Sequence, residues 1–114
     1  MALNKKNRLK KKRDFEKVFK KGKVVKDDLF FAKFLKNETG FFRFAFVVSS
    51  KVSRKAVVRN KIRRILSEIF MENLKEKEKE IDSLDVAIVV NKKIIGATRE
   101  DIEKNAKRIF DKIK

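Results

Sequence analysis

Apolar and polar positions along this chain follow two rhythms, one helical and one extended. In RDFEKVFKKG, residues 13–22, Phe15, Val18 and Phe19 stand at i, i+3 and i+4 and form one helical stripe, and Gly22 offers a left-handed stop behind it. Val24 and Val25 begin a brief strand that Asp27 and Asp28 end. LFFAKFLK and FFRFAFVVS then flank the turn-like Asn37, Glu38, Thr39 and Gly40. Phe42, Phe44, Phe46 and Val48 alternate with Arg43, Ala45, Val47 and Ser49, a strand period, so the two segments predict a hairpin whose phenylalanines are core.

From about Arg54 to Lys79 the rhythm is helical again, with Ile62, Ile65, Leu66, Ile69, Phe70 and Leu74 on one stripe and fraying expected at EKEKE, residues 76–80. DVAIVV, residues 85–90, is apolar on both faces, which suits a buried strand parallel to a neighbour. Thr98 and Asp101 have the spacing of a capping box ahead of Ile102, Ala106, Ile109, Phe110 and Ile113, an amphipathic last helix. The order αβββαβα predicts an α+β fold, a mixed α/β sandwich with helices packed on a sheet of about four strands. With 114 residues, no Pro and three Gly, the chain reads as a single domain over 1–114, and basic, non-periodic residues 1–12 read as a mobile arm.

Charge changes this picture. The 33 Lys and Arg against 16 Asp and Glu give +17, and such self-repulsion is relieved by a polyanionic partner. The excess sits in two segments: residues 1–26 hold twelve cations and two acids, residues 51–64 seven cations and none, and the rest of the chain balances. There is no Cys and no His, which excludes a thiol nucleophile, a Cys-based zinc site and an imidazole base. No apolar run approaches the length of a membrane span, and MALNKKNRLKKKR has no apolar stretch behind its charges, so neither a membrane partner nor a signal peptide is expected. A cytoplasmic protein without a small-molecule substrate fits these absences.

KAVVRNKIRR, residues 55–64, places five cations at the start of the long helix, where the helix dipole disfavours each by roughly 0.3–1 kcal/mol. A bound phosphate would reverse that penalty. On a helical wheel Asn60, Arg63, Arg64 and Ser67 lie along one flank of the apolar stripe, Lys61 toward the opposite border, and Arg59 at the edge of the stripe.

RNKIRR following VVSSKVSRKAV closely resembles the RNR motif of the protein subunit of bacterial ribonuclease P, and NRLKKKRDFEKVFKKGK, residues 7–23, resembles that family's first helix. The resemblance implies a left-handed βαβ crossover and a small basic protein that binds the catalytic RNA which cuts 5′ leaders from precursor tRNAs. It implies no catalytic residue in the protein; the RNA would hold the Mg²⁺, and whether the protein holds a metal of its own stays open. Arg54, Lys55, Arg59, Asn60, Lys61, Arg63 and Arg64 would then face the catalytic RNA. Phe15 and Phe19, with Lys12, Arg13 and Lys51, would face the single-stranded leader of the precursor. The chain departs from the family pattern at Ser50, Ser53 and Ser67, where Lys, Gly and a basic residue are usual, and near Lys33, where an aromatic is frequent; the last thins the expected stacking surface. Two other readings compete: a general RNA-binding or ribosome-associated protein, and a carboxylate-dependent nuclease, for which the acids show no two-metal spacing.

Overall fold

The computed structural model describes residues 5–77 and 83–113. Helix α1 (Lys12–Lys21) is followed by strands β1 (Lys23–Lys26), β2 (Phe30–Lys36) and β3 (Arg43–Val47), then α2 (Ala56–Lys77), β4 (Leu84–Val90) and α3 (Arg99–Lys112). The fold is the expected mixed α+β arrangement of a four-stranded sheet and three helices. The long helix continues through Lys77, and residues 78–82, where fraying was expected, lie outside the described residues.

The sheet order β1-β2-β4-β3 corrects one expectation. The β2 and β3 segments do not form a hairpin, because β4 lies between them, antiparallel to β2 and parallel to β3. Strand β4 is buried on both faces along almost its whole length, so it gains most from the centre of the sheet. The Asn37–Gly40 turn is real, with Thr39 N–H donating to Asn37 Oδ1 at 3.1 Å and Gly40 at φ 82°, but it passes over the start of β4. The hairpin of the structure is β1 with β2, turned at Asp27 and Asp28.

One face of the sheet carries α2 and α3. Phe30, Phe34 and Phe44 from the strands, with Phe42 just ahead of β3, meet Leu66, Ile69, Phe70, Ile109 and Phe110 from the helices there. Phe42 and Phe44 are core as expected, at 1% and 2% exposure, and Phe46 packs half-buried against them. The rings of Phe44, Phe46 and Phe110 all lie within 5.6 Å of Phe70, centroid to centroid. The α3 capping box forms as its spacing predicts: Asp101 N–H donates to Thr98 Oγ1, and Thr98 N–H to the Asp101 carboxylate.

The other face carries α1. Val18 is fully buried against Ala87, with Phe15, Phe19, Leu35 and Ala45 packed half-buried around them; small Ala45 and Ala87 admit the helix. Gly22 does not take the left-handed stop: its φ is −72°. A Cβ there would sit 2.4 Å from the Val18 carbonyl oxygen and 2.9 Å from that of Phe34, so glycine is needed for close approach of helix end and strand. The N-terminal segment is also corrected. Over residues 5–9 it is docked beside β3, with Leu9 N–H donating to Phe44 O at 2.9 Å and buried Asn7 donating from Nδ2 to Phe42 O at 2.7 Å. Residues 1–4 lie outside the described residues.

Asp27, at the β1–β2 turn, accepts two hydrogen bonds of 2.8 Å from Arg108 of α3. That pairing holds its carboxyl below its ordinary value of 3.8. A lowered folded value means that the stabilisation is complete above about pH 4 and vanishes as pH falls through the folded value. Asp27→Asn is therefore expected to lower Tm at pH 7 by roughly 4 °C, a modest figure because Arg108 is half exposed, with the gap to the parent closing in melts near pH 2.

Candidate nucleic-acid interface

The β3–α2 loop brings the motif to the sheet end where the parallel strands β3 and β4 finish. Its polar side chains divide into two groups. Arg54, Lys55, Asn60, Lys61 and Arg64 are exposed, as is Lys51. Arg59 and Arg63 are half-buried and turned back onto the protein. Arg59 Nη1 donates to the carbonyls of Ser53 (3.0 Å) and Arg54 (2.9 Å), so it closes the end of the loop. Arg63 Nη2 donates to Val48 O (3.2 Å) at the start of the loop, and its Nη1 donates to Asn60 Oδ1 (2.9 Å). The wheel position of Arg59, at the border of the apolar stripe, carried that signal. Ser67, one of the departures, is fully buried and donates to Arg64 O at 2.8 Å, so it serves the helix and not the surface.

Electrostatic pairing separates this end from α3 and from the Arg43 cluster. Arg99 meets Glu68 (3.0 Å) and Glu103 (3.2 Å), Lys104 meets Glu100 (3.4 Å), and Arg43 meets Asp85 (2.7 Å). Among the described residues, none of the cations from Lys51 to Arg64 meets a carboxylate. Val57, 80% exposed at the first turn of α2, adds an uncovered apolar side chain in their midst.

The α1 face holds the second set. Phe15 and Phe19 contact each other, centroids 4.7 Å apart and planes at 38°, half-buried against the sheet. Lys33 of β2 places its ammonium 4.7 Å from the Phe19 centroid and donates to Phe19 O at 3.3 Å. Where an aromatic was expected, a cation thus covers one side of Phe19. Lys12 and Arg13 are exposed at the start of α1, Lys12 lying 3.9 Å from Glu16.

Sequence reasoning missed Phe31. Register puts it on the α1 face opposite Val89, whose other neighbour is Val47; all three are half-buried and bridge from α1 toward the motif end. Val24, Lys26, Phe31 and Lys33 line one hollow there. The signal was present in LFFAKFLK, where Phe31 and Leu35 keep the second face apolar.

The start of α1 is tied down by ions. Arg43 grips Asp85 with Nε and Nη2, both at 2.7 Å, and reaches Asp14 of α1 at 3.3 Å, while Asn37 Nδ2 donates to the same Asp85 carboxylate at 2.7 Å. The Asp85 hydrogen bond raises the Arg43 pKa further above its already high value. As to metals, the described residues contain no group of three or more Asp or Glu placed to hold one. No helix among them is long and apolar enough to cross a membrane.

Comparison with known proteins places this geometry. The sequence model of the family described as Ribonuclease P matches residues 3–114. The ribonuclease P protein component of Clostridioides difficile is 35% identical over 109 residues, spanning 96% of this chain and 93% of the relative. That of a Bacillus cereus strain is 36% identical over 110 residues, spanning 95% and 91%. Among solved structures, the RNase P protein from Thermotoga maritima matches at TM-score 0.81 and 29% identity, covering 94% of this chain and 97% of the other. The Staphylococcus aureus RNase P protein matches at 0.78 and 29%, covering 94% and 96%. With the match running almost from end to end and the RNKIRR helix at its centre, the chain belongs to the family of ribonuclease P protein components.

Proposed function

We propose that this protein binds the catalytic RNA of ribonuclease P through its motif end and the 5′ leader of precursor tRNA through its α1 face, promoting removal of the leader in the cytoplasm. The observation that carries this is the run of cations from Lys51 to Arg64, none of which meets a carboxylate among the described residues, whereas Arg99 and Arg108 of α3 are both paired. Phosphates would supply the missing countercharge and release condensed cations on binding. Two polyanions, catalytic RNA and substrate, then repel each other less.

On this reading the protein performs no bond-breaking step. Mg²⁺, held mainly by RNA phosphates, would activate water and stabilise the leaving oxygen. Arg54, Lys55, Lys61 and Arg64 neutralise RNA phosphates, while Asn60 is fixed by Arg63 with its amide nitrogen free to donate. Phe31, the half-buried rings of Phe15 and Phe19, and the cations Lys12, Arg13 and Lys51 receive an unpaired leader, where a stacked base contributes about 1–3 kcal/mol. Such contacts tolerate any sequence, as a subunit serving many precursors requires.

Phe19→Ala tests the leader half. It is expected to raise KM about tenfold for precursors carrying a leader of several nucleotides, and far less for a precursor with a single-nucleotide leader. Equal effects on both substrates would return Phe19 to a purely packing role.

A further inference from the structure

Three polar residues of α3, Asn105, Arg108 and Lys112, stand at i, i+3 and i+7 and form one stripe along the helix. All three reach the β1–β2 hairpin, at or beside its turn. Arg108 grips Asp27 with Nε and Nη2, both at 2.8 Å. Lys112 Nζ donates to Lys26 O at 3.0 Å, and buried Asn105 accepts at Oδ1 from Leu29 N at 3.2 Å. Asn105 is itself fixed, since its Nδ2 donates to Asp101 O at 2.9 Å. With Asp27 N–H donating to Phe30 O at 3.1 Å, the turn is closed and clamped from the α3 side. The outer strand needs such a hold: β1 is an edge of the sheet with Lys23, Val24 and Lys26 exposed, and exposed edge segments open locally at low free energy.

The same hairpin bounds the hollow whose lining includes Val24, Lys26, Asp27, Phe31 and Lys33. Register supplies the link: Lys26 stands directly across from Phe31, and Val24 from Lys33. A hairpin that shifts at its turn therefore carries Phe31 and Lys33 with it. Lys33 in turn spans from hairpin to helix, its ammonium 4.7 Å from the Phe19 centroid. We propose that Asp27 and Arg108 are positioning residues for the 5′ leader, clamping the hairpin from α3 so that Phe31 and Lys33 stay aligned with Phe19 on the opposite face. Alignment matters because a stacked base gains only from the ring surface it covers. Asp27 itself reaches the rim of the hollow, where a carboxylate repels a phosphate, so a purely electrostatic role would make its loss favourable. The clamp makes that loss unfavourable. This inference deepens the leader half of the proposed function and rests on it.

The opposite charges of the two partners separate position from electrostatics. Asp27→Asn removes a negative charge and Arg108→Gln a positive one, yet each breaks the same pair. KM and kcat are measured, well below the melting temperature, for holoenzyme assembled from ribonuclease P RNA with the parent protein, Asp27→Asn or Arg108→Gln. The substrates are a precursor with a leader of several nucleotides and one with a single-nucleotide leader. Both variants are expected to raise KM roughly fivefold on the longer leader, the loss of part of one stacked base, and to leave kcat and the short-leader KM at the parent values. A long-leader KM that falls for Asp27→Asn and rises for Arg108→Gln would reveal a charge effect and overturn the clamp. Equal rises on both substrates, the mark of a general loss of stability, would overturn it too, as would parent values throughout. A parent holoenzyme that draws no advantage from the longer leader would overturn the leader assignment and the clamp with it.

Discussion

Replacing Lys61 and Arg64 together by Ala is expected to weaken binding to ribonuclease P RNA by at least tenfold near 150 mM salt and to flatten the log–log salt dependence by roughly 1.4–1.8. Both side chains are exposed on α2, and among the described residues neither has a partner inside the protein. Melting temperature is accordingly expected to stay at the parent value. The same experiment on Arg63 gives a mixed result, because its guanidinium holds the Val48 carbonyl and its loss loosens the loop as well. The Lys61/Arg64 pair therefore isolates charge from architecture. Unchanged affinity and slope in that double variant would contradict the assignment of this face to RNA.

Arg43→Ala is expected to have the largest effect on stability, about 3 kcal/mol, measured as a loss of denaturant midpoint. Asp85, with 8% of its side chain exposed, would keep only Asn37 as a partner for a buried charge. That figure is a large fraction of the 5–15 kcal/mol on which such domains depend. The loss also unties Asp14 and with it the start of α1, so leader discrimination is expected to fail at lower denaturant concentration than RNA binding by the distant motif end. The double variant Arg43→Met with Asp85→Leu should recover most of the stability, since an apolar pair can replace a buried ion pair at little cost. If Arg43→Ala alone melts like the parent, the cluster does not hold α1 in place.

Apolar rhythm located the four strands and the three α-helices, but not the short 3-10 turns at Lys5–Asn7 and Lys92–Ile94, which hide no periodic face. It could not say which strands are neighbours. FFRFAFVVS and LFFAKFLK look like partners by proximity, yet the competition for the centre of the sheet is won by DVAIVV, a segment about forty residues away whose claim is decided by burial on both faces. Gly22 was legible as a required glycine, but the reason lies in the Phe34 carbonyl passing behind it, a contact that local sequence does not encode. For the site, the clustering of charge located the motif end. The roles within it depend on where each guanidinium turns: Arg59 and Arg63 face the loop carbonyls and Arg64 faces outward, a division that composition cannot express. Asn7 and Leu9 show the converse, two residues in a basic stretch whose burial against β3 overrides the disorder that their neighbours suggest.

The proposed role in precursor-tRNA processing stands or falls on cleavage of a precursor tRNA by ribonuclease P RNA at low Mg²⁺, with and without the protein. The RNA alone is expected to be nearly inactive under these conditions and the added protein to restore cleavage at the mature 5′ end, with the Lys61/Arg64 variant requiring at least tenfold more protein for the same rate. Absence of any stimulation, while the protein still binds the RNA tightly, would contradict it and would leave a general RNA-binding protein built on the same fold.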